Sequence, residues 1–322
     1  GGRGRERGGG GKERRPVAAG GGYAAAAMPR GDLRHQEPMA RHTSWRVGGP
    51  ADRYFEPADR SDLLAFVQAL PADERLLWIG LGSNLLVRDG GVRGTVIGLH
   101  GCLDGLRTEQ DGSIYAESGV HCARLAKFSV QQGRGGGAFL AGIPGTVGGA
   151  LAMNAGAHGG ETWPRVREVE VLYRDGSAEW LTAERFSYGY RHVRLPENFA
   201  GFLAVRFDFP QDDAEQAAVE MKDWLARRKA TQPVGKPSCG SVFRNPPNDH
   251  AARLIEFCGL KGYRIGGAVV SPLHANFIIN EDQASAADIE RLITHVRETV
   301  MTRTGVALEP EVRIVGEHGG GR

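Results

Sequence analysis

The chain has 322 residues, a length that allows two or three domains. Its hydrophobic fraction of 41% and charged fraction of 24% are ordinary for a soluble globular protein, and no apolar run approaches the roughly 20 residues of a membrane span. The net charge of +2 divides into about +5 over residues 1–30 and about −3 over the rest, which argues against a nucleic-acid-binding body.

Residues 1–30, dominated by Gly, Ala and Arg, cannot bury enough apolar surface to offset the entropy of ordering them, so a disordered tail is expected. The tail lacks the apolar core of a secretory signal, and Met28 and Met39 read as alternative start sites. Weak RNA binding by this Arg/Gly segment is the rival reading, opposed by the acidic balance of residues 31–322. The first ordered block is expected near HTSWRVGGP at 42–50. Ser61 can cap a helix that places Leu63, Leu64 and Val67 on one face. Residues 76–79 read as a buried strand running into GLGSN at 80–84. The apolar pattern resumes at 85–87, and 95–99 read as another strand. Strand–helix–strand order predicts a small α/β domain.

In the second block, 100–210, residues 114–118 read as a strand, and Cys122, Leu125, Ala126 and Val130 share a helical face. Val169, Val171 and Tyr173 alternate with charged neighbours, and Asp175-Gly176 turns the chain into 178–181 as a hairpin. Val205, Phe207 and Phe209 alternate again up to Pro210. The third block opens with a helix capped by Asp212 or Asp213, whose apolar face is Ala217, Ala218, Met221, Trp224 and Leu225. A basic cluster at 227–229 ends it. Ser285 starts a later helix with Ile289, Leu292, Ile293, Val296 and Val300 on one side, and 308–315 read as a closing strand. Cys102, Cys122, Cys239 and Cys258 are isolated, without the spacing of a metal site, and read as buried free thiols.

Three loops carry chemistry. GLGSN at 80–84 follows a strand but lacks the third glycine of GxGxxG, so it is weak as a Rossmann site. It is suited instead to present backbone N–H groups, Ser83 and Asn84 to a pyrophosphate. GIPGTVGG at 142–149 combines a proline-stiffened turn with glycines that admit a flat ring or a phosphate, and the following helix is expected to aim its N-terminus at an anion. CGSVFRNP at 239–246 sets the Ser241 hydroxyl after a glycine, where it can offer a proton. Arg244 and Asn245 can hold phosphate or carboxylate oxygens.

In this order, together with LEPEVRIVG at 308–316, these segments resemble the UDP-N-acetylenolpyruvoylglucosamine reductase family over about residues 41–316. The resemblance implies an α+β architecture. An FAD-binding fold of the vanillyl-alcohol-oxidase-like type would be made of two α/β subdomains, 31–99 and 100–210, with the last strand returning to the first. A C-terminal α+β substrate-binding domain would cover 211–311. It implies non-covalent FAD held by Gly80, Gly82, Ser83, Asn84, Gly142, Gly145, Thr146, Gly148, Gly149 and Asn154, with NADPH as hydride donor and no metal. Ser241 matches the family's proton donor, Arg191 the arginine on the substrate carboxylate, and Glu311 the acid that assists polarisation. Tyr190, Lys229, Arg244 and Asn245 match substrate or cofactor phosphate contacts. His158 stands where the family often has tyrosine, and His274 and Asn276 read as structural. The segment between Arg191 and Ser241 leaves little room for an extra capping loop, so the shorter subtype is expected. The resemblance further implies a cytoplasmic monomer that acts on a UDP-sugar enolpyruvyl ether in cell-wall synthesis and serves cell shape and division. An oxidase of the same fold is the alternative.

Overall fold

A computed structural model describes residues 28–320, so the expected tail lies outside the described residues except at its end. Four strands form the first sheet in the order Asp32–Pro38, Pro50–Glu56, Val92–Gly98, Leu76–Ile79. The first pair is antiparallel and the others are parallel. Helix Arg60–Ala69 packs on this sheet, with Leu63, Phe66 and Val67 buried against Phe55 and Ile97. Its cap is Asp59 rather than Ser61: the Asp59 carboxylate accepts the Asp62 N–H at 2.9 Å. The ordered chain starts ten residues earlier than the sequence indicates. Strand Asp32–Pro38 is an edge strand with one buried position, so it carries no alternation to detect.

The second sheet is antiparallel, in the order Ala178–Thr182, Val166–Tyr173, Phe199–Phe207, Ile114–Glu117, Leu106–Thr108. The hairpin expected at Asp175-Gly176 forms there, with Gly176 at φ +86°. Phe199–Phe207 is central and buried almost throughout, which is why its sequence is apolar on both faces. Helices Cys122–Gln131 and Val147–Met153 close this core around Trp163.

The third unit is a three-stranded antiparallel sheet, Arg264–Ile265, Ala268–Val270 and Ile278–Asn280. Helix Ala286–Thr304 covers it with the five apolar residues expected, and Ser285 and Asp288 form a capping box at its start. Helix Ala214–Thr231 is capped by Asp213 and buries only Ala217. Met221 and Trp224 are half-buried, whereas Ala218 is exposed and Leu225 is 48% exposed, narrower than the expected face. The helix meets its neighbours along a single stripe at i, i+4 and i+7.

Two crossings tie the units together. Trp45 is fully buried in the third core, donating its indole N–H to Ile278 O at 2.8 Å, while Asn280 donates back to Trp45 O at 2.8 Å. The last strand, Arg313–Val315, runs parallel to Leu85–Val87 of the first unit.

Candidate active site

Loop 80–84 leaves the end of strand Leu76–Ile79, and its neighbours shape it. Ser44 N–H donates to Gly82 O at 3.0 Å. Gly82 sits at φ +63°, and a Cβ there would lie 2.1 Å from His42 O, so both backbone and space demand glycine. Among the described residues, the N–H groups of Leu81, Gly82, Ser83 and Asn84 donate to no protein acceptor. Four consecutive free amides on a glycine loop could receive an anion.

The 142–149 loop faces this one. Ser83 Oγ donates to Pro144 O at 2.9 Å, Gly80 abuts the Thr146 side chain, and Gly145, at φ +131°, lies beside Ser83. The helix N-terminus expected to receive an anion is already engaged. Val147 N–H donates to Val120 O, Gly148 N–H to Ser118 O, and Gly149 N–H to the capping Thr146 Oγ1. Gly142 lies against His158. Of the two loops, 80–84 is therefore the one with amides left for an anion. The facing loop contributes its shape and its small residues, and these suit the extended, diphosphate-bearing FAD.

Asn154 has partners other than the expected cofactor. It is fully buried and caps helix Val147–Met153 in the left-handed conformation, at φ +47°. Its amide donates to Gly189 O at 2.8 Å and accepts the Trp163 N–H at 3.0 Å. Gly189 pairs with His192 in a tight hairpin whose two turn residues are Tyr190 and Arg191. Arg191 occupies φ +53°, a strained position for a side-chain-bearing residue that the surrounding contacts must hold. Its guanidinium donates to Gly156 O at 2.9 Å, to Asn154 O at 3.4 Å and to Glu311 Oε1 at 2.8 Å, and lies over the exposed Tyr190 ring. A Cβ on Gly156 would lie 2.9 Å from the Arg191 guanidinium. The segment at 154–156 is thus the seat of Arg191.

Glu311 lies just before strand Arg313–Val315, which is shorter than the strand expected over 308–315; upstream of it, among the described residues, only Pro310 bridges, to Phe243. Asn84 Nδ2 donates to Glu311 O at 3.1 Å, so loop 80–84 also braces this residue. Residues 242–244 lie against 309–311: Glu311 N–H donates to Val242 O at 2.7 Å and Arg244 N–H to Glu309 O at 2.9 Å. Ser241, exposed and without a protein partner among the described residues, opens this segment. The fold thus brings Arg191, Glu311 and the segment that follows Ser241 together from three elements. Arg244 reaches Arg191 O at 3.4 Å, and Asn245 Oδ1 accepts the Ala251 N–H at 3.0 Å, with its amide N–H groups unengaged among the described residues. Lys229 stands exposed in the last turn of helix Ala214–Thr231 and makes no contact with these three among the described residues.

Cys239 is buried, and burial pushes its thiol up to about 12, so it is a neutral space-filler beside Gly82 O and Leu85 O. His158 stacks on Trp224 with ring centroids 4.0 Å apart, and burial and then Arg227 pull its pKa below the usual imidazole range. The bracing roles of Ser44, Gly156 and Gly189 went unread because they act through backbone groups, which leave no side-chain signature. Among the described residues no group of His, Cys, Asp and Glu could hold a metal ion.

Residues 51–182 match the FAD binding domain family, and residues 232–315 match the C-terminal domain of UDP-N-acetylenolpyruvoylglucosamine reductase. The chain is 58% identical to the UDP-N-acetylenolpyruvoylglucosamine reductase of Alkalilimnicola ehrlichii, over 89% of this chain and 96% of that protein. It is 55% identical to the reductase of the same name from Methylococcus capsulatus, over 91% of this chain and 96% of that protein. A crystal structure of UDP-N-acetylenolpyruvylglucosamine reductase from Thermus caldophilus superposes with a TM-score of 0.74 at 32% identity, covering 88% of this chain and 98% of that one.

Proposed function

From the premise that this chain belongs to the UDP-N-acetylenolpyruvoylglucosamine reductase family, we propose that Ser241, Arg191 and Glu311 carry its chemistry. The enzyme is an FAD flavoprotein that reduces the UDP-linked enolpyruvyl ether to UDP-N-acetylmuramate in peptidoglycan precursor synthesis, with NADPH as the reductant. When bound, FAD supplies the hydride relay between NADPH and the vinyl carbon. Loop 80–84 holds its diphosphate through the free amides of Leu81, Gly82, Ser83 and Asn84; the Ser83 hydroxyl and the Asn84 side-chain amide, expected to assist, already donate to Pro144 O and to Met153 Sδ and Glu311 O. Gly80, Gly142, Gly145, Thr146, Gly148 and Gly149 shape the rest of the cradle.

The residues around Arg191 then have defined tasks. Arg191 grips the substrate carboxylate and stabilises the negative charge that gathers there as hydride arrives. Glu311 holds Nε of that guanidinium, so its remaining N–H groups are presented in a fixed orientation. Ser241 donates its proton to the carbon bearing the carboxylate. A hydroxyl is a weak acid, so it donates well only to the strongly basic enolate form, which restricts proton transfer to the moment after hydride delivery. Tyr190, Lys229, Arg244 and Asn245 hold the UDP portion or the NADPH phosphate.

The observation that carries this reading is the convergence of Arg191 on Glu311, 2.8 Å apart, beside the segment that begins at Ser241. Stopped-flow flavin absorbance tests it. Ser241→Ala should accept electrons from NADPH nearly as the unaltered enzyme does, and reoxidation by the enolpyruvyl substrate should slow by about 10²–10⁴-fold. Reoxidation at the unaltered rate would remove Ser241 from the proton-donor role. The working form we propose is a cytoplasmic monomer that binds neither membrane nor nucleic acid and serves cell shape and division. Its division would be 31–99, 100–210 and 211–311. Among the described residues, no helix is long and apolar enough to cross a membrane.

A further inference from the structure

We propose that Asn276 is the positioning residue of the proton donor, an inference that rests on Ser241 having that role. Gly240, at φ +60°, separates Ser241 from buried Cys239 by a left-handed turn that glycine adopts without strain, so no side chain braces the serine from its N-terminal neighbour. The hydroxyl has no protein partner among the described residues. Its place is therefore set by what holds 242–243.

One edge of that segment lies on 309–311, as described above. The other edge has no strand neighbour; Asn276 stands in for one. Its carbonyl accepts the Val242 N–H at 2.9 Å, its Oδ1 accepts the Phe243 N–H at 3.0 Å, and its Nδ2 donates to Phe243 O at 2.9 Å. The side-chain amide thus imitates a peptide group of a neighbouring strand, and both ends of it are needed. Asn276 is only 4% exposed, so water cannot replace a lost partner. Its own backbone N–H is held by His274 Nδ1 at 3.2 Å, which fixes the clamp in turn.

Asn276→Asp converts this clamp into a titratable one. A carboxylate accepts the Phe243 N–H but sets negative oxygen against Phe243 O. The protonated acid restores both bonds. Burial raises the pKa of such a carboxyl above the ordinary value of about 3.9, so the clamp should close again as pH falls. The titratable or charged groups on the segments that meet here are His274, Cys239, Arg244, Glu309 and Glu311. Burial first, and then Lys261, lower the pKa of His274, and Cys239 stays neutral. All of these are present in the unaltered enzyme, so its profile is the reference for the variant.

At high pH, reoxidation of Asn276→Asp by the enolpyruvyl substrate should fall on the order of 10²-fold, the effect of a displacement of about 1 Å at a reacting group. It should recover with one added ionisation as pH falls, while flavin reduction at saturating NADPH, where looser binding by Arg244 or Asn245 is overcome, stays within about twofold of the unaltered rate. Asn276→Ala, read in the same way, should show the same split without recovery, and it serves if the Asp variant does not fold. Unchanged reoxidation in both variants, or parallel slowing of both half-reactions at every pH, would overturn the proposal. Ser241→Ala separates the two ideas. If it reoxidises normally, the proton-donor reading falls. If it is slow while both Asn276 variants reoxidise at the unaltered rate, only the positioning role falls.

Discussion

Arg191 shows most clearly how a single residue acquires its function from its surroundings. Its left-handed backbone is held by Asn154 below the hairpin, and its guanidinium is divided between two backbone carbonyls and Glu311. Arg191→Lys keeps the charge but loses the planar fork that fills this seat. Stopped-flow titration should therefore show substrate affinity and reoxidation rate each lower by roughly tenfold or more, equivalent to about 1.4 kcal/mol apiece. Unchanged affinity in that variant would place the carboxylate elsewhere. The residue types at 190, 191, 241, 244, 245 and 311 were legible in the sequence through the family's motifs. The partners of Asn154 were not. An amide suits a cofactor as well as a carbonyl, and its contact with Gly189 joins positions 35 apart.

At the level of elements, the two glycine loops divide their labour. Loop 80–84 keeps its amides free, whereas helix Val147–Met153 has already used its first three. Gly82→Ala forces a Cβ onto His42 O and a left-handed backbone onto alanine, the latter alone costing about 1–2 kcal/mol. The variant should purify with far less flavin per chain than the unaltered protein, which is expected to be yellow. A Gly82→Ala protein with full flavin content would show that the loop is not the receptor. Helix Arg60–Ala69 offers a pH test. Asp62 is buried and accepts the N–H groups of Arg30, Gly31 and Ala58 at 2.8–3.0 Å. Burial opposes its charge, but these three bonds and Arg30 outweigh it and lower its pKa from 3.8. A lowered folded-state pKa means that the stabilisation is complete above the unfolded value, about 3.9, and is lost as pH falls through the lower folded value. Amide exchange at Gly31 should accelerate over that window, and Asp62→Ala should remove the dependence.

Across the whole molecule, segment 42–50 bolts the flavin half to the C-terminal unit through Trp45. Trp45→Phe keeps the packing but leaves Ile278 O without its donor, a loss of about 1–3 kcal/mol. Trp45→Ala adds a cavity, for about 3–5 kcal/mol in total. Denaturant midpoints should rank the two variants in that order, and equal midpoints would refute the bolt. Cutting before Met28 should leave melting temperature and flavin content unchanged. Cutting after Gly31 should lower the melting temperature, because Arg30 and Gly31 hold Asp62. By itself, the sequence determined the elements whose signals span a few residues. These include the 175–176 hairpin, the Ser285 cap, the glycine loops and the motifs that name the family. Only the tertiary structure decided which loop offers free amides, where Arg191 is seated, what clamps Val242 and Phe243 and why Trp45 is buried. Those contacts join residues 33 to 233 positions apart, and a hydrogen bond over such a span leaves no periodic trace in the chain.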